Sequence, residues 1–250
     1  MRKLVAALAC RVESTRLYAK PLQRLGGDVT VLSQILSSLG SVSEIQDCVL
    51  CISSLVGNNP FTKIAGERKV GYVVGDPEDV LGRMIQGAEK TGATDIFIVT
   101  SENPFLAFEF IEDAWSRHVS HGNDVTLLDG VPDGMGFEIY RVEALRKSHS
   151  SGTPDQREHA SRYVKQNLAK FDIEILEPDS LHARPDVRFS VDYPEDLIFC
   201  RAAYAQLISV APLIPMGRLI AFADEHPELV SLVAPFCDQG FPWRPEKVRR

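Results

Sequence analysis

Three cationic side chains, Arg11, Arg16 and Lys20, fall within one short stretch of an otherwise acidic chain, with Ser14 and Thr15 between them. Converged on one point, such a set would hold a polyphosphate, because the cations give charge-assisted hydrogen bonds and the hydroxyls and main-chain N–H groups add donors. A basic loop is also ordinary composition for a solvated surface, so charge alone leaves both accounts open. Position is more informative. The stretch follows the apolar run Leu4 to Ala9, which reads as a buried strand, and open α/β sheets bind ligands at the carboxyl edge of their strands.

Two more polar clusters follow apolar runs in the same way. Thr100-Ser101-Glu102-Asn103-Pro104 comes after Asp95 to Val99, and Asp192-Tyr193-Pro194-Glu195-Asp196 comes after Val187 to Val191. Each also has a structural account. Asn103 before Pro104 makes a good N-cap, and Glu195 and Asp196 in a first helical turn complement the helix dipole.

The elements that must position these clusters are read from periodicity. Residues 30–39 have helical spacing with Gly40 as a stop, and 48–52 reads as a fully buried strand, whereas 53–67 has little pattern. A strand at 69–74 leads to a helix running to Thr91, with Asp76 as its N-cap and Pro77 at its first position. Strand 95–99 and helix 104–118 follow. The second half reads as strands 125–128 and 136–141, a helix at 142–147, a polar linker at 149–154, a helix at 155–170, and strands 171–176 and 187–191. Helices 194–208 and 216–232 come next, then a tail docked by Phe236, Phe241 and Trp243. Strand and helix in alternation predict an α/β fold, a mainly parallel sheet with helices on both faces. Residues 1–210 form one domain in this reading, and 211–250 pack on it as a C-terminal helix and tail.

Length and composition narrow the function classes. At 250 residues, 44% apolar and 24% charged, the chain has the make-up of a soluble globular protein. A net charge of −7 argues against nucleic-acid or membrane-surface binding, so an anionic substrate requires a local cationic pocket. No apolar run approaches the length of a membrane span. The N-terminal run is short and ends in Arg11, which reads as a strand and not a secretion signal. The five cysteines are an odd number, and Cys48-x-x-Cys51 sits inside an apolar run. Buried, reduced thiols in a cytoplasmic protein are the expectation.

The basic loop resembles the signature R-x-G-S-T-R-L-P-G-K of the bacterial cytidylyltransferases that activate sugar acids, the group with CMP-Kdo synthetase, CMP-acylneuraminate synthetase and the spore-coat polysaccharide protein F family. Arg11, Ser14, Thr15, Arg16, Leu17 and Lys20 stand where it expects them, while Glu13 replaces the glycine and Tyr18-Ala19 replaces Pro-Gly. Four other segments are similar to family motifs. These are Gly75 through Arg83 (E-D-V-L-x-R), Glu102 before Pro104, Val131 to Glu138 (P-D-G-L-D-V-E, with Gly136 for an aspartate) and Asp192 to Leu197 (D-x-P-E-D-L). Gln156 to His159 carries an R-E-H.

The resemblance implies a Rossmann-like nucleotidyltransferase that transfers CMP from CTP to a sugar acid and releases pyrophosphate, for surface polysaccharide. It implies nucleotide contacts from Ala9, Arg11, Ser14, Thr15, Arg16, Lys20 and Ser101, with Arg11 and Lys20 acting on the triphosphate. Asp79 or Arg83 would touch the nucleotide. Glu102 and Asp192 would hold Mg²⁺, and Asp133, Glu138, Arg157 and His159 would face the acceptor. A homodimer contact is implied for residues 131–185. The substitutions at Glu13, Glu102 and Gly136 leave open a noncatalytic nucleotide-binding module of the same fold. A glycosyltransferase on a similar sheet is the other alternative; its usual Asp-x-Asp is absent from the sequence.

Overall fold

The computed structural model describes residues 2–237 and Trp243. The first strand, β1 (Leu4–Cys10), is apolar throughout because both of its faces are covered. Leu4, Ala6, Leu8 and Cys10 enter one core, and Val5 and Ala7 enter the other. After a small hairpin, β2 (Arg24–Gly26) with β3 (Val29–Thr30), helix α1 (Val31–Leu39) starts in a capping box between Thr30 and Ser33. Next come β4 (Asp47–Ser53), α2 (Asn59–Arg68), β5 (Gly71–Gly75), α3 (Val80–Thr91) and β6 (Asp95–Ile98). Then follow α4 (Ile111–Ser120), β7 (Val125–Leu128), β8 (Glu138–Arg141) and α5 (Val142–Ser151). The short α6 (Pro154–Arg157) and α7 (Arg162–Gln166) precede β9 (Ile173–Leu176). Finally come α8 (Pro194–Leu207), α9 (Met216–Glu225) and α10 (Pro227–Val233).

Seven strands form one sheet in the order β5-β4-β1-β6-β8-β7-β9, parallel except where β8 runs against β6 and β7. Strand β1 is central, paired to β4 and β6. One face of the sheet is covered by α1, α2, α4, α8 and α9, the other by α3, α5 and α7. This is the α/β, Rossmann-like arrangement expected from the alternation. No helix among the described residues is long and apolar enough to cross a membrane.

Several boundaries differ from the sequence reading, each for a local reason. Residues 59–68, read as patternless, are α2, which buries only Phe61 and Ala65 and so shows little periodicity. Helix α3 is capped by Asp79, whose Oδ1 accepts from the N–H of Gly82 at 2.8 Å, while Asp76 only closes a turn onto the N–H of Glu78. Asn103 is not an N-cap, because Pro104 to Ala107 are buried outside any helix and α4 begins at Ile111. Helix α5 extends to Ser151, through half of the expected linker. The expected helix 155–170 is broken into α6, α7 and a 3₁₀ turn, and 216–232 breaks at Pro227. Residues 187–191 have strand-like burial but make only one bridge, between Asp133 and Arg188. Phe241 lies outside the described residues. Phe236 stacks on Tyr193 with ring centroids 4.0 Å apart, and Trp243 is buried.

Cys10, Cys48, Cys51 and Cys200 are buried thiols outside any disulfide. Burial pushes the Cys51 thiol up to about 12 and raises Cys10, Cys48 and Cys200 as well. Thiols held this far from ionisation are core side chains rather than redox or metal groups.

Candidate nucleotide-binding and transfer site

Leaving β1, the chain turns out through residues 11–19 and returns at Lys20. The neck of this loop is closed by the N–H of Ala19 donating to the carbonyl of Val12 at 2.8 Å. The N–H of Val12 in turn donates to Oδ1 of the buried Asn58 at 2.9 Å. Ala19 sits at φ 51°, a left-handed conformation that costs an L-residue about 1–2 kcal/mol and glycine almost nothing. That turn sends Lys20 inward, where its ammonium is buried and hydrogen-bonds Oδ1 of Asp192. Arg16 reaches the same oxygen at 2.9 Å, with its guanidinium 5.0 Å from the centroid of the Tyr193 ring.

Asp192 is delivered by the segment before α8. The N–H of Val191 donates to the carbonyl of Glu102 at 3.0 Å, so the two acidic residues come from adjacent backbones. Arg188, 5% exposed, donates to Oδ2 of Asp192 at 2.6 Å and to Asp196 at 3.0 Å, and it also pairs with Asp133. The fully buried Asp196 accepts the N–H groups of Asp192 and Tyr193 at 2.8 and 2.9 Å, which fixes where α8 begins. Burial alone would raise the pKa of Asp192, but Lys20, Arg16 and Arg188 outweigh it and hold the carboxyl below its usual value. Glu102 goes the other way. Burial, reinforced by the charge of Asp192, raises it against the pull of Lys20 and Arg11.

Arg16, Lys20, Glu102 and Asp133 line one cleft of about 1410 Å³ at the carboxyl ends of β1, β6 and β7, and Asp192, which Arg16 and Lys20 contact, lies just outside its lining. Ala9, Ser14 and Thr15 line it, as does Ser101, whose hydroxyl donates to the carbonyl of Ala9 at 2.8 Å. Arg11 also lines it, but its guanidinium lies 3.7 Å from the carboxylate of Glu158, so it does not join Arg16 and Lys20 on Asp192. Arg83 is buried and held by the carbonyls of Cys51 at 3.2 Å, Pro77 at 3.1 Å and Asp76. Burial lowers its pKa, and one side of it faces the cleft. Asp79 is committed to its cap and to Nε2 of His149 at 2.7 Å, and it is not a cleft residue.

The cleft lining also includes Asp133, Glu138 and His159. Burial raises the pKa of Asp133 although Arg188 opposes the change. Gly134, at φ +88°, lets the backbone lie so close to its neighbour that a Cβ would sit 2.5 Å from the Ser190 nitrogen. At Gly136 a Cβ would meet the Leu128 carbonyl oxygen at 2.9 Å, which leaves no room for an aspartate there. Glu138 accepts from the indole N–H of Trp243 at 3.0 Å, and the Lys165 ammonium lies 4.8 Å from that indole's centroid. Burial raises Glu138 and lowers Lys165. Partial burial and Arg162 lower the pKa of His159. Arg157 does not line the cleft, and its Nε is buried with no hydrogen-bond partner among the described residues.

Three residues of this site were not singled out from the sequence: Asn58, Arg188 and Lys165. Trp243 was expected only to dock the tail. Nothing local marks them, since each acts through a partner distant in the chain.

Residues 5–211 match the sequence profile of the family described as cytidylyltransferase. The chain belongs to the cytidylyltransferase family. It is 25% identical over 234 residues to the spore coat polysaccharide biosynthesis protein SpsF of Bacillus subtilis, covering 91% of this chain and 97% of that one. It is 24% identical over 233 residues to an uncharacterized protein of Methanocaldococcus jannaschii, covering 92% and 94% of the two chains. Among solved structures, a cytidylyltransferase from Leptospira borgpetersenii superposes with TM-score 0.83 at 20% identity, covering 97% of this cytidylyltransferase and all of that chain. A CMP:2-keto-3-deoxy-manno-octonic acid synthetase complexed with CTP superposes with TM-score 0.63 at 16% identity, covering 82% and 99%. This cytidylyltransferase therefore shares both the family's sequence profile and its fold, and the resemblance carried by its basic loop is borne out.

Proposed function

We propose that this cytidylyltransferase transfers CMP from CTP to a hydroxyl of a sugar acid, releasing pyrophosphate, in the assembly of a surface polysaccharide. The observation that carries the reading is the meeting of Asp192 with Lys20 and Arg16, which line the same cleft as Glu102. Cations from the first loop and carboxylates from two later segments are the groups a nucleoside triphosphate and a hard cation need. The polysaccharide role in the name of the Bacillus subtilis relative supports the polysaccharide context. The CTP bound to the octonic acid synthetase supports CTP as donor.

In this reading the acceptor oxygen attacks the α-phosphorus in line, the bond from that phosphorus to the β-phosphate oxygen breaks, and the hydroxyl proton is released to water. Lys20 and Arg16 hold the triphosphate and balance the charge that grows on the leaving pyrophosphate. Arg11 faces the triphosphate from the rim once it leaves Glu158. Ala9, Ser14, Thr15 and Ser101 line the nucleotide end, and Arg83 adds fixed positive charge there. Asp133, Glu138 and His159 orient the acceptor. Arg157, outside the cleft lining, supports the segment that carries His159.

Glu102 and Asp192 suit Mg²⁺. Glu102 has no ion-pair partner among the described residues and is kept basic by burial, while a phosphate chain would draw Lys20 and Arg16 from Asp192. Both would offer carboxylate oxygen, the donor a hard cation prefers. When bound, the ion would neutralise phosphate charge and act as a Lewis acid. The segment 131–185 is also the proposed homodimer contact.

Thermal unfolding with each nucleoside triphosphate, with and without Mg²⁺, tests the donor. Saturating CTP with Mg²⁺ should raise the midpoint by about 5–10 °C, more than any other triphosphate does. Pyrophosphate release is then measured against a panel of sugar acids. No shift with CTP, or a shift without release for any sugar acid, rejects the reading.

A further inference from the structure

Glu13 occupies the loop position where the family signature has glycine, and it puts a negative charge in the cleft that would receive a triphosphate. What its carboxylate does depends on Asn58, a side chain only 2% exposed just ahead of α2. The Asn58 amide has one orientation that satisfies its neighbours. The Val12 N–H is a donor, so it must face Oδ1, which it reaches at 2.9 Å. That leaves Nδ2 to donate to the Leu55 carbonyl at 3.0 Å, with its second hydrogen toward Oε2 of Glu13 at 3.5 Å. Val12 also accepts from the N–H of Ala19, so the amide grips the residue that closes the loop neck.

The geometry points to Asn58 as a positioning residue for triphosphate binding, which holds the loop neck through Val12 and draws the Glu13 carboxylate toward α2 and away from the phosphates. The inference rests on the reading of this cleft as a CTP site. Asn58 touches no phosphate in this account and acts through the loop. A neutral amide is the side chain that can do both jobs. It accepts from Val12, as a carboxylate of the same shape also would, and it donates to Glu13, as a carboxylate would not. An aspartate at 58 would keep the bond from Val12, lose the one to the Leu55 carbonyl, and repel Glu13 into the cleft.

The test is a double-mutant cycle read as CTP–Mg²⁺ affinity by calorimetry, with the unliganded unfolding midpoint recorded for every variant. Asn58→Asp is expected to weaken CTP binding about tenfold, a difference of about 1.4 kcal/mol. Adding Glu13→Gln removes the repulsion and supplies an amide that can donate to the new carboxylate. The double variant should therefore return to within about threefold of Glu13→Gln alone. Asn58→Ala removes the grip on Val12, and its loss should not be recovered by Glu13→Gln. A general folding defect would lower all Asn58 variants alike and would not be relieved by a change at residue 13.

Asn58→Asp binding CTP as tightly as the wild type overturns the inference while leaving the nucleotide site intact. Failure of Glu13→Gln to restore Asn58→Asp overturns it too. A wild-type protein that binds no triphosphate overturns the site reading and this inference together.

Discussion

The N–H of Val191 donates to the carbonyl of Glu102 at 3.0 Å, and this one bond sets Asp192 beside Glu102 although their segments are far apart in the chain. The two carboxylates then meet unequal surroundings. Asp192 is ion-paired to Lys20, Arg16 and Arg188, whereas burial and the charge of Asp192 raise Glu102 against the more distant pull of Lys20 and Arg11. A triphosphate brings more negative charge to Lys20 and Arg16 than one carboxylate does, so in the proposed reading these cations would exchange Asp192 for the phosphates.

Replacing Lys20 by alanine should lower CTP-dependent pyrophosphate release about 10²–10³-fold, the usual effect of removing one donor at a site of developing charge. Asp192 keeps Arg16 and Arg188, so the fold should survive. Release at the wild-type rate would remove Lys20 from the machinery.

Gly134→Ala should destabilise the protein by about 3 kcal/mol, measured by urea unfolding. The added Cβ meets the Ser190 nitrogen at 2.5 Å, and φ is +88°. A loss below about 1 kcal/mol would mean that the two backbones do not approach so closely.

His118 should make stability depend on pH. It is fully buried, with Nε2 3.1 Å from Asp95 and Nδ1 2.9 Å from Thr126, and burial lowers its pKa below the usual 6.5 even against the pull of Asp95. As pH falls below 6.5 the unfolded chain takes up this proton before the folded one does. The contribution is therefore complete above 6.5 and is lost as pH falls through the folded value. His118→Gln removes the titration, so the wild-type midpoint should fall more steeply than the variant's below pH 6.5. Parallel curves would show that His118 does not carry the effect.

Much of this architecture was legible because it is local. The apolar run of β1 ending at Arg11, the buried run of β4 and the helix opened by Pro194 are each signalled within a few residues. Misreadings arose where two local signals competed or where the partner was remote. Asp76-Pro77 has the form of a helix start, yet Asp79 takes the cap because its carboxylate also meets His149. Val187, Phe189 and Val191 alternate like a strand because they fill the core, while Arg188 between them turns to three carboxylates. Asn58 carries no signal at all, since its grip on Val12 exists only once α2 is folded beside the loop.

The reversed strand β8 has a consequence for how the cleft is built. Because it runs against β6, its first residue, Glu138, pairs with Ile98 at the sheet edge where β1 and β6 end. Strand exits and a strand entrance, with the residues leading into it, therefore line the same cleft. That entrance is wired to the first loop, because Arg188 joins Asp133 to the Asp192 that Lys20 and Arg16 hold. A change at Asp133 would therefore be felt by the cations of a loop more than a hundred residues earlier in the chain.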